Sequence, residues 1–124
     1  MNLEETKKIT LSLIDTFNEA GRTALTLREA GLKKEIKEDN TPVTNGDIEV
    51  NKILTEKISK VTPNIVIISE ENSKNKDKKN LNDFWLIDPI DGTNDYLNNR
   101  EEFTLNAALI LNKKPLIGIV TAPR

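Results

Sequence analysis

The 124-residue chain contains no cysteine and no histidine. The first absence excludes disulfides, thiolate zinc sites and cysteine nucleophiles. The second removes the side chain that most often serves as general base and transition-metal ligand. Any chemistry here must therefore run on carboxylates, hydroxyls, amides and cations. Long apolar runs are missing too. None approaches the roughly 18 residues that a membrane-spanning helix needs, so no integral membrane association is expected. The opening residues Met1-Asn2-Leu3-Glu4-Glu5 are acidic and have no apolar run behind them, unlike a signal peptide. A cytoplasmic location is the expectation. A basic excess is also absent: the formal net charge is -2, which argues against binding a nucleic-acid polymer. A small phosphorylated molecule stays compatible with that charge, because a metal can supply positive charge locally. The hydrophobic share, 36%, supports a modest core, and the length suits one compact domain.

From Leu3 to Ala30 the residues Ile9, Leu13, Phe17, Ala20, Ala24 and Leu27 recur at three- and four-residue steps, one face of an amphipathic helix. Gly31 stands where a C-terminal cap would end it, and Gly21 is an internal weak point that leaves room for a kink. Lys33 to Asp39 alternates weakly, as a short exposed strand does, and Asp39-Asn40-Thr41-Pro42 predicts a turn. Thr44-Asn45-Gly46-Asp47 has the form of a capping box opening a second helix to about Lys60, with Val50, Ile53, Leu54, Ile58 and Val61 as its buried stripe. Pro63-Asn64 breaks the pattern. Ile65 to Ile68 and Phe84 to Ile87 predict two buried strands, separated by a lysine- and asparagine-rich surface loop over Asn72 to Asp83. Phe103 to Leu111 and Leu116 to Val120 predict two more strands, joined by a turn at Asn112-Lys113-Lys114-Pro115. Helix, helix, then mostly strands is an α+β order: two helices packed on a mostly antiparallel sheet.

The strand ends carry the chemistry. Ser69-Glu70-Glu71 follows the first strand and Asp88-Pro89-Ile90-Asp91-Gly92-Thr93 the second. If the two strands are neighbours, Glu70, Glu71, Asp88 and Asp91 converge, and clustered carboxylates repel unless a cation neutralises them. Oxygen-only ligation points to Mg²⁺, Mn²⁺ or Ca²⁺ rather than zinc. Pro89 is expected to turn the chain sharply out of the strand, aiming the Ile90 carbonyl inward as a further oxygen ligand. Gly92 permits close approach of the backbone, and the Gly92 and Thr93 N–H groups, at the start of a short helix, make a phosphate cradle. This combination suggests in-line attack of water on a phosphate monoester, with Thr93 and Asp47 as the pair that orients and deprotonates the water. Two readings of Asp47 stand side by side: a purely local role in the capping box, or that catalytic one. Thr93 has the same duality as a helix N-cap, and Glu71 by itself is most simply a solvated turn. Trp85 is assigned to the core. An EF-hand beginning at Asp91 is rejected, since its sixth place is Tyr96 instead of glycine and no helix is expected after Glu102.

At Asp47, Glu70-Glu71 and Asp88-Pro89-Ile90-Asp91-Gly92-Thr93 the sequence resembles the inositol monophosphatase superfamily. Thr41-Pro42-Val43-Thr44, Ser69-Glu70-Glu71-Asn72 and Glu102-Phe103-Thr104-Leu105-Asn106-Ala107-Ala108-Leu109-Ile110 resemble its 3'(2'),5'-bisphosphate nucleotidase branch. The resemblance implies the N-terminal subdomain of the sugar-phosphatase fold over residues 1–124, covering the first half of a typical member. The C-terminal subdomain, with a Trp-Asp motif that adds a carboxylate to the second metal, is expected to lie outside this chain. It further implies Mg²⁺ held by Glu70, Asp88, the Ile90 carbonyl and Asp91, water activation by Asp47 and Thr93, phosphate binding at Gly92 and Thr93, and Glu71 close by. The implied activity is hydrolysis of the 3'-phosphate of 3'-phosphoadenosine 5'-phosphate. The alternatives are hydrolysis of another small phosphate ester, as in inositol monophosphatase, or a non-catalytic metal- and phosphate-binding fragment. An uncovered apolar surface or strand edge is expected to favour a homo-oligomer. The chain departs from the branch after Gly-Thr: where Lys-Glu-Phe is usual, it has Asn94-Asp95-Tyr96.

Overall fold

A computed structural model describes residues 1–71 and 81–124. Most of the lysine-rich segment expected as a surface loop, residues 72–80, lies outside them. The elements run α1 (Leu3–Ala30), β1 (Lys34–Ile36), β2 (Pro42–Thr44), α2 (Asn45–Val61), β3 (Val66–Ser69), β4 (Phe84–Asp91), α3 (Thr93–Leu97), β5 (Thr104–Leu111) and β6 (Lys114–Thr121). The four-stranded sheet has the order β3-β4-β5-β6, with β3 parallel to β4 and the other neighbours antiparallel. The α+β order with a mostly antiparallel sheet is therefore observed. A second sheet, the antiparallel ribbon of β1 and β2, was not expected from the sequence.

The helices form where their caps and apolar stripes direct. Asn2 accepts from the Glu5 N–H to start α1, and Gly31 ends it at φ 97°, its N–H bonded to the Arg28 carbonyl. Leu13, Phe17, Ala20 and Ala24 of α1 meet Val50, Leu54 and Ile58 of α2 in one core, and α1 also packs on β6 and α2 on β4. The Leu105, Ala107 and Leu109 side chains of β5 supply the facing layer at the two-residue period of a half-buried strand. Truncating a fully buried residue such as Phe17 costs about 3–5 kcal/mol in such cores. Trp85 is core, as expected, and its Nε1–H donates to the Thr62 hydroxyl at 2.9 Å, so the buried indole is satisfied. Among the described residues, no helix is long and apolar enough to cross a membrane.

Several local expectations needed correction. Gly21 does not end or divide α1; a Cβ there would stand 3.1 Å from Pro123, so this glycine makes room for the chain segment after β6. The strand β3 is buried only towards its C-terminal end, because it is an edge strand with Val66 exposed. The hairpin between β5 and β6 needs only Asn112 and Lys113, both at positive φ, so Lys114 and Pro115 already belong to β6. Pro115 is tolerated there because β6 is an edge strand of the sheet. Most important for the site, β4 does not leave the sheet at Pro89. It continues to Asp91, with its register against β5 shifting between Asp88 and Asp91. Pro89 lies within that irregularity, where a missing N–H does not break the ladder.

Candidate metal and phosphate site

The parallel pairing of β3 and β4 aligns Ser69 with Ile87, and the Glu70 N–H donates to the Ile87 carbonyl at 3.1 Å. Glu70 is thereby held beside the residue that precedes Asp88, and the two strands are the neighbours that the convergence reading needs. Glu70, Glu71, Asp88, Ile90, Asp91, Gly92 and Thr93 all line one open cavity of about 420 Å³. The irregularity in β4 places Asp88 and Asp91 on it together. Ser69 is buried, and its hydroxyl donates to the Asn51 side chain, tying the end of β3 to α2.

Asp47 is fully buried. Its Oδ2 accepts from the Thr44 N–H at 2.9 Å and from the Thr44 hydroxyl, while its own N–H donates to Thr44 Oγ1, so the capping box is complete. Its Oδ1 is turned the other way and accepts from Thr93 Oγ1 at 3.0 Å. The capping-box reading of Asp47 is thus realised on one carboxylate oxygen, and the other is paired with Thr93. Thr93 opens α3, after Gly92 at φ 91°. A Cβ at position 92 would lie 2.7 Å from the Glu102 carbonyl oxygen, so the close approach expected of this glycine is to neighbouring backbone. The Thr93 hydroxyl also lies 3.3 Å from the Ile90 carbonyl, which puts that oxygen at the same corner of the cavity.

The electrostatics are those of an anionic cluster. Burial pushes the Asp88 carboxyl up to about 6, and the charges of Asp91, Glu70, Glu71 and Asp47 push in the same direction. A cation would reverse each of those repulsions, and carboxylate and carbonyl oxygens are the donors that hard divalent ions prefer. Among the described residues, no group of three acidic side chains is already drawn together as a formed metal site. The donor chemistry fits Mg²⁺. One cation was missed by sequence reasoning. Lys37, just after β1, lines the same cavity and stands 3.9 Å from a Glu71 carboxylate oxygen. It is brought there by the β1–β2 ribbon, whose pairing left only a weak alternation in the sequence.

The α+β domain thus gathers carboxylates, a carbonyl and a carboxylate-bound hydroxyl around one cavity at the ends of two parallel strands. The chain belongs to the inositol monophosphatase family, whose family model matches residues 2–124. It is 42% identical over 91 residues to 3'(2'),5'-bisphosphate nucleotidase CysQ of Haemophilus influenzae, covering 72% of this chain and 34% of that protein. The CysQ of Aggregatibacter actinomycetemcomitans is 35% identical over 113 residues, covering 90% of this chain and 42% of the relative. The chain thus spans less than half the length of these curated relatives. Among solved structures, CysQ from Bacteroides thetaiotaomicron superimposes with a TM-score of 0.68 at 28% identity, over 98% of this chain and 44% of that one. An IMPase/NADP phosphatase complexed with Mg²⁺ and phosphate gives 0.82 at 22% identity, over 95% and 45%, a likeness of fold. These coverages agree with the N-terminal subdomain expected from the sequence.

Proposed function

We propose that this chain carries the metal- and phosphate-handling part of a Mg²⁺-dependent phosphate-monoester hydrolase acting on the 3'-phosphate of 3'-phosphoadenosine 5'-phosphate. The observation that carries this reading is the Thr93–Asp47 hydrogen bond at the edge of the acidic cavity. Glu70, Asp88, Asp91 and the Ile90 carbonyl would hold Mg²⁺, with Glu71 at the rim, paired to Lys37. Bound Mg²⁺ supplies Lewis-acid stabilisation of phosphate oxygens and makes a nearby water more acidic. Thr93 donates its only hydroxyl proton to Asp47, so its lone pairs face outward to accept from a water and orient it. Deprotonation of that water can then pass through Thr93 Oγ1 to Asp47 Oδ1, a general-base role for a carboxylate in a chain without histidine. The Gly92 and Thr93 N–H groups, at the start of α3, receive phosphate oxygens.

The nucleotide preference draws its support from the named CysQ relatives and from the Glu102–Ile110 stretch that resembles their branch. The test is phosphate release from the bisphosphate nucleotide, an inositol phosphate and a fructose bisphosphate, each with and without Mg²⁺. Preferential, Mg²⁺-dependent release from the nucleotide is expected. Faster release from the inositol phosphate would move the chain to the inositol-monophosphatase reading. No turnover of any ester, with Mg²⁺ still bound by calorimetry, would leave a metal- and phosphate-binding fragment.

A further inference from the structure

The helix α3 is five residues long, too short to hold its own conformation, yet it carries Thr93. Three residues on, Tyr96 is fully buried, and its hydroxyl donates to the Ala24 carbonyl of α1 at 2.7 Å. That hydroxyl reaches α1 through a gap that exists only because residue 46 is glycine. A Cβ on Gly46 would lie 2.2 Å from the Tyr96 hydroxyl oxygen and 2.7 Å from its Cε2. Gly46 is the residue before Asp47, in the first turn of α2. The ring also lies under Arg28, whose guanidinium carbon stands 5.5 Å from the Tyr96 ring centre and 5.1 Å from that of Phe103. The same guanidinium donates to the Arg100 carbonyl at 2.7 Å and reaches the Tyr96 carbonyl at 3.4 Å, closing the C-terminal end of α3.

We propose that Tyr96 is a positioning residue: anchored to α1 through the Gly46 gap, it fixes α3 so that the Thr93 hydroxyl faces Asp47. Thr93 and Tyr96 are i and i+3 on one turn, so moving the ring moves the hydroxyl. Gly46 and Asp47 are consecutive, so the surface the ring rests on is continuous with the carboxylate that Thr93 must meet. Burial, and then the Asp47 charge, push the Tyr96 phenol up to about 12, so it stays a neutral donor throughout the working pH range. The inference deepens the proposed function and rests on it for its kinetic readout.

The experiment is a double-mutant cycle with Tyr96→Phe and Thr93→Ala, run well below the melting temperature of each variant. Tyr96→Phe is expected to lower kcat about ten- to a hundredfold, with KM and Mg²⁺ affinity unchanged. In the Thr93→Ala background it should have no further effect. An unchanged kcat, or equal effects of Tyr96→Phe with and without the Thr93 hydroxyl, overturns the proposal. A second measurement needs no turnover: with threonine methyls labelled with ¹³C, Tyr96→Phe should shift the Thr93 methyl resonance, and an unmoved resonance overturns the positioning role. If the parent chain hydrolyses none of the esters, the functional reading fails while the methyl spectrum still decides the positioning one. Gly46→Ala should shift the same resonance, and an unmoved resonance in that variant overturns the role of the gap.

Discussion

Thr93 and Asp47 meet through one hydrogen bond of 3.0 Å, from the Thr93 hydroxyl to the carboxylate oxygen that Thr44 leaves unused. The arrangement lets one buried aspartate do two jobs without compromise. One oxygen closes the capping box of α2, which holds the carboxylate still, and the other faces the hydroxyl of α3. Since the bond joins residues 46 positions apart, it also sets how α2, β4 and α3 surround the acidic cavity.

Removing either partner should separate chemistry from folding. Thr93→Ala is expected to lower the rate of phosphate release by about 10²–10⁴ and leave Mg²⁺ binding intact. Asp47→Ala should be inactive as well and also less stable, because the buried Thr44 N–H loses its carboxylate partner, at about 1–3 kcal/mol. Urea melts beside steady-state assays distinguish the two. Equal destabilisation by both variants would count against the division of labour between the two oxygens.

The raised Asp88 carboxyl gives a pH dependence with a definite sign. Its folded-state value of about 6 lies above its ordinary 3.8, so the folded chain holds that proton more tightly than the unfolded one. The stabilising contribution is complete below the ordinary value and is lost as pH rises through about 6. The melting temperature of the metal-free chain, relative to Asp88→Asn, should therefore fall between about pH 4 and pH 7. Saturating Mg²⁺ should abolish the fall, and Mg²⁺ affinity should itself rise across the same window. A pH-independent difference between the two proteins sinks this account.

Gly92→Ala places a side chain at φ 91° and 2.7 Å from the Glu102 carbonyl oxygen. Backbone of that kind costs on the order of 1–3 kcal/mol for a residue with a Cβ. The clash should also displace Thr93, so lower stability in a urea melt is expected to accompany lower activity. A variant as stable as the parent would contradict the geometry.

Among the described residues, β6 is an open sheet edge, with Val120 70% and Leu116 44% exposed. Such an edge favours pairing with a second copy. Light scattering should show concentration-dependent self-association at micromolar protein, and Val120→Lys should reduce it. A cleanly monomeric parent across that range would remove the homo-oligomer from the reading.

What the sequence determined by itself is what neighbouring residues settle among themselves. The apolar spacing of Leu13, Phe17, Ala20 and Ala24 defined α1, and Gly31 ended it. Thr44 and Asp47 announced the capping box, and Phe84 to Ile87 and Phe103 to Leu111 marked the central strands. Glu70, Asp88, Asp91 and Thr93, which line one cavity, were legible as candidates because acids and a hydroxyl at the ends of apolar strands, beside Gly92, have few local reasons to be there. Only the tertiary structure decided the rest. Proline's lost N–H predicted that the chain would leave the strand at Pro89, but pairing with β5 resumes at Asp91 and carries β4 past it. Which oxygen of Asp47 faces Thr93, how Lys37 reaches Glu71, and why residue 46 must be glycine beneath Tyr96 all depend on atoms brought together across the fold. Helix spacing and capping leave periodic or local traces in a sequence; the distance between two elements leaves none, because packing sets it.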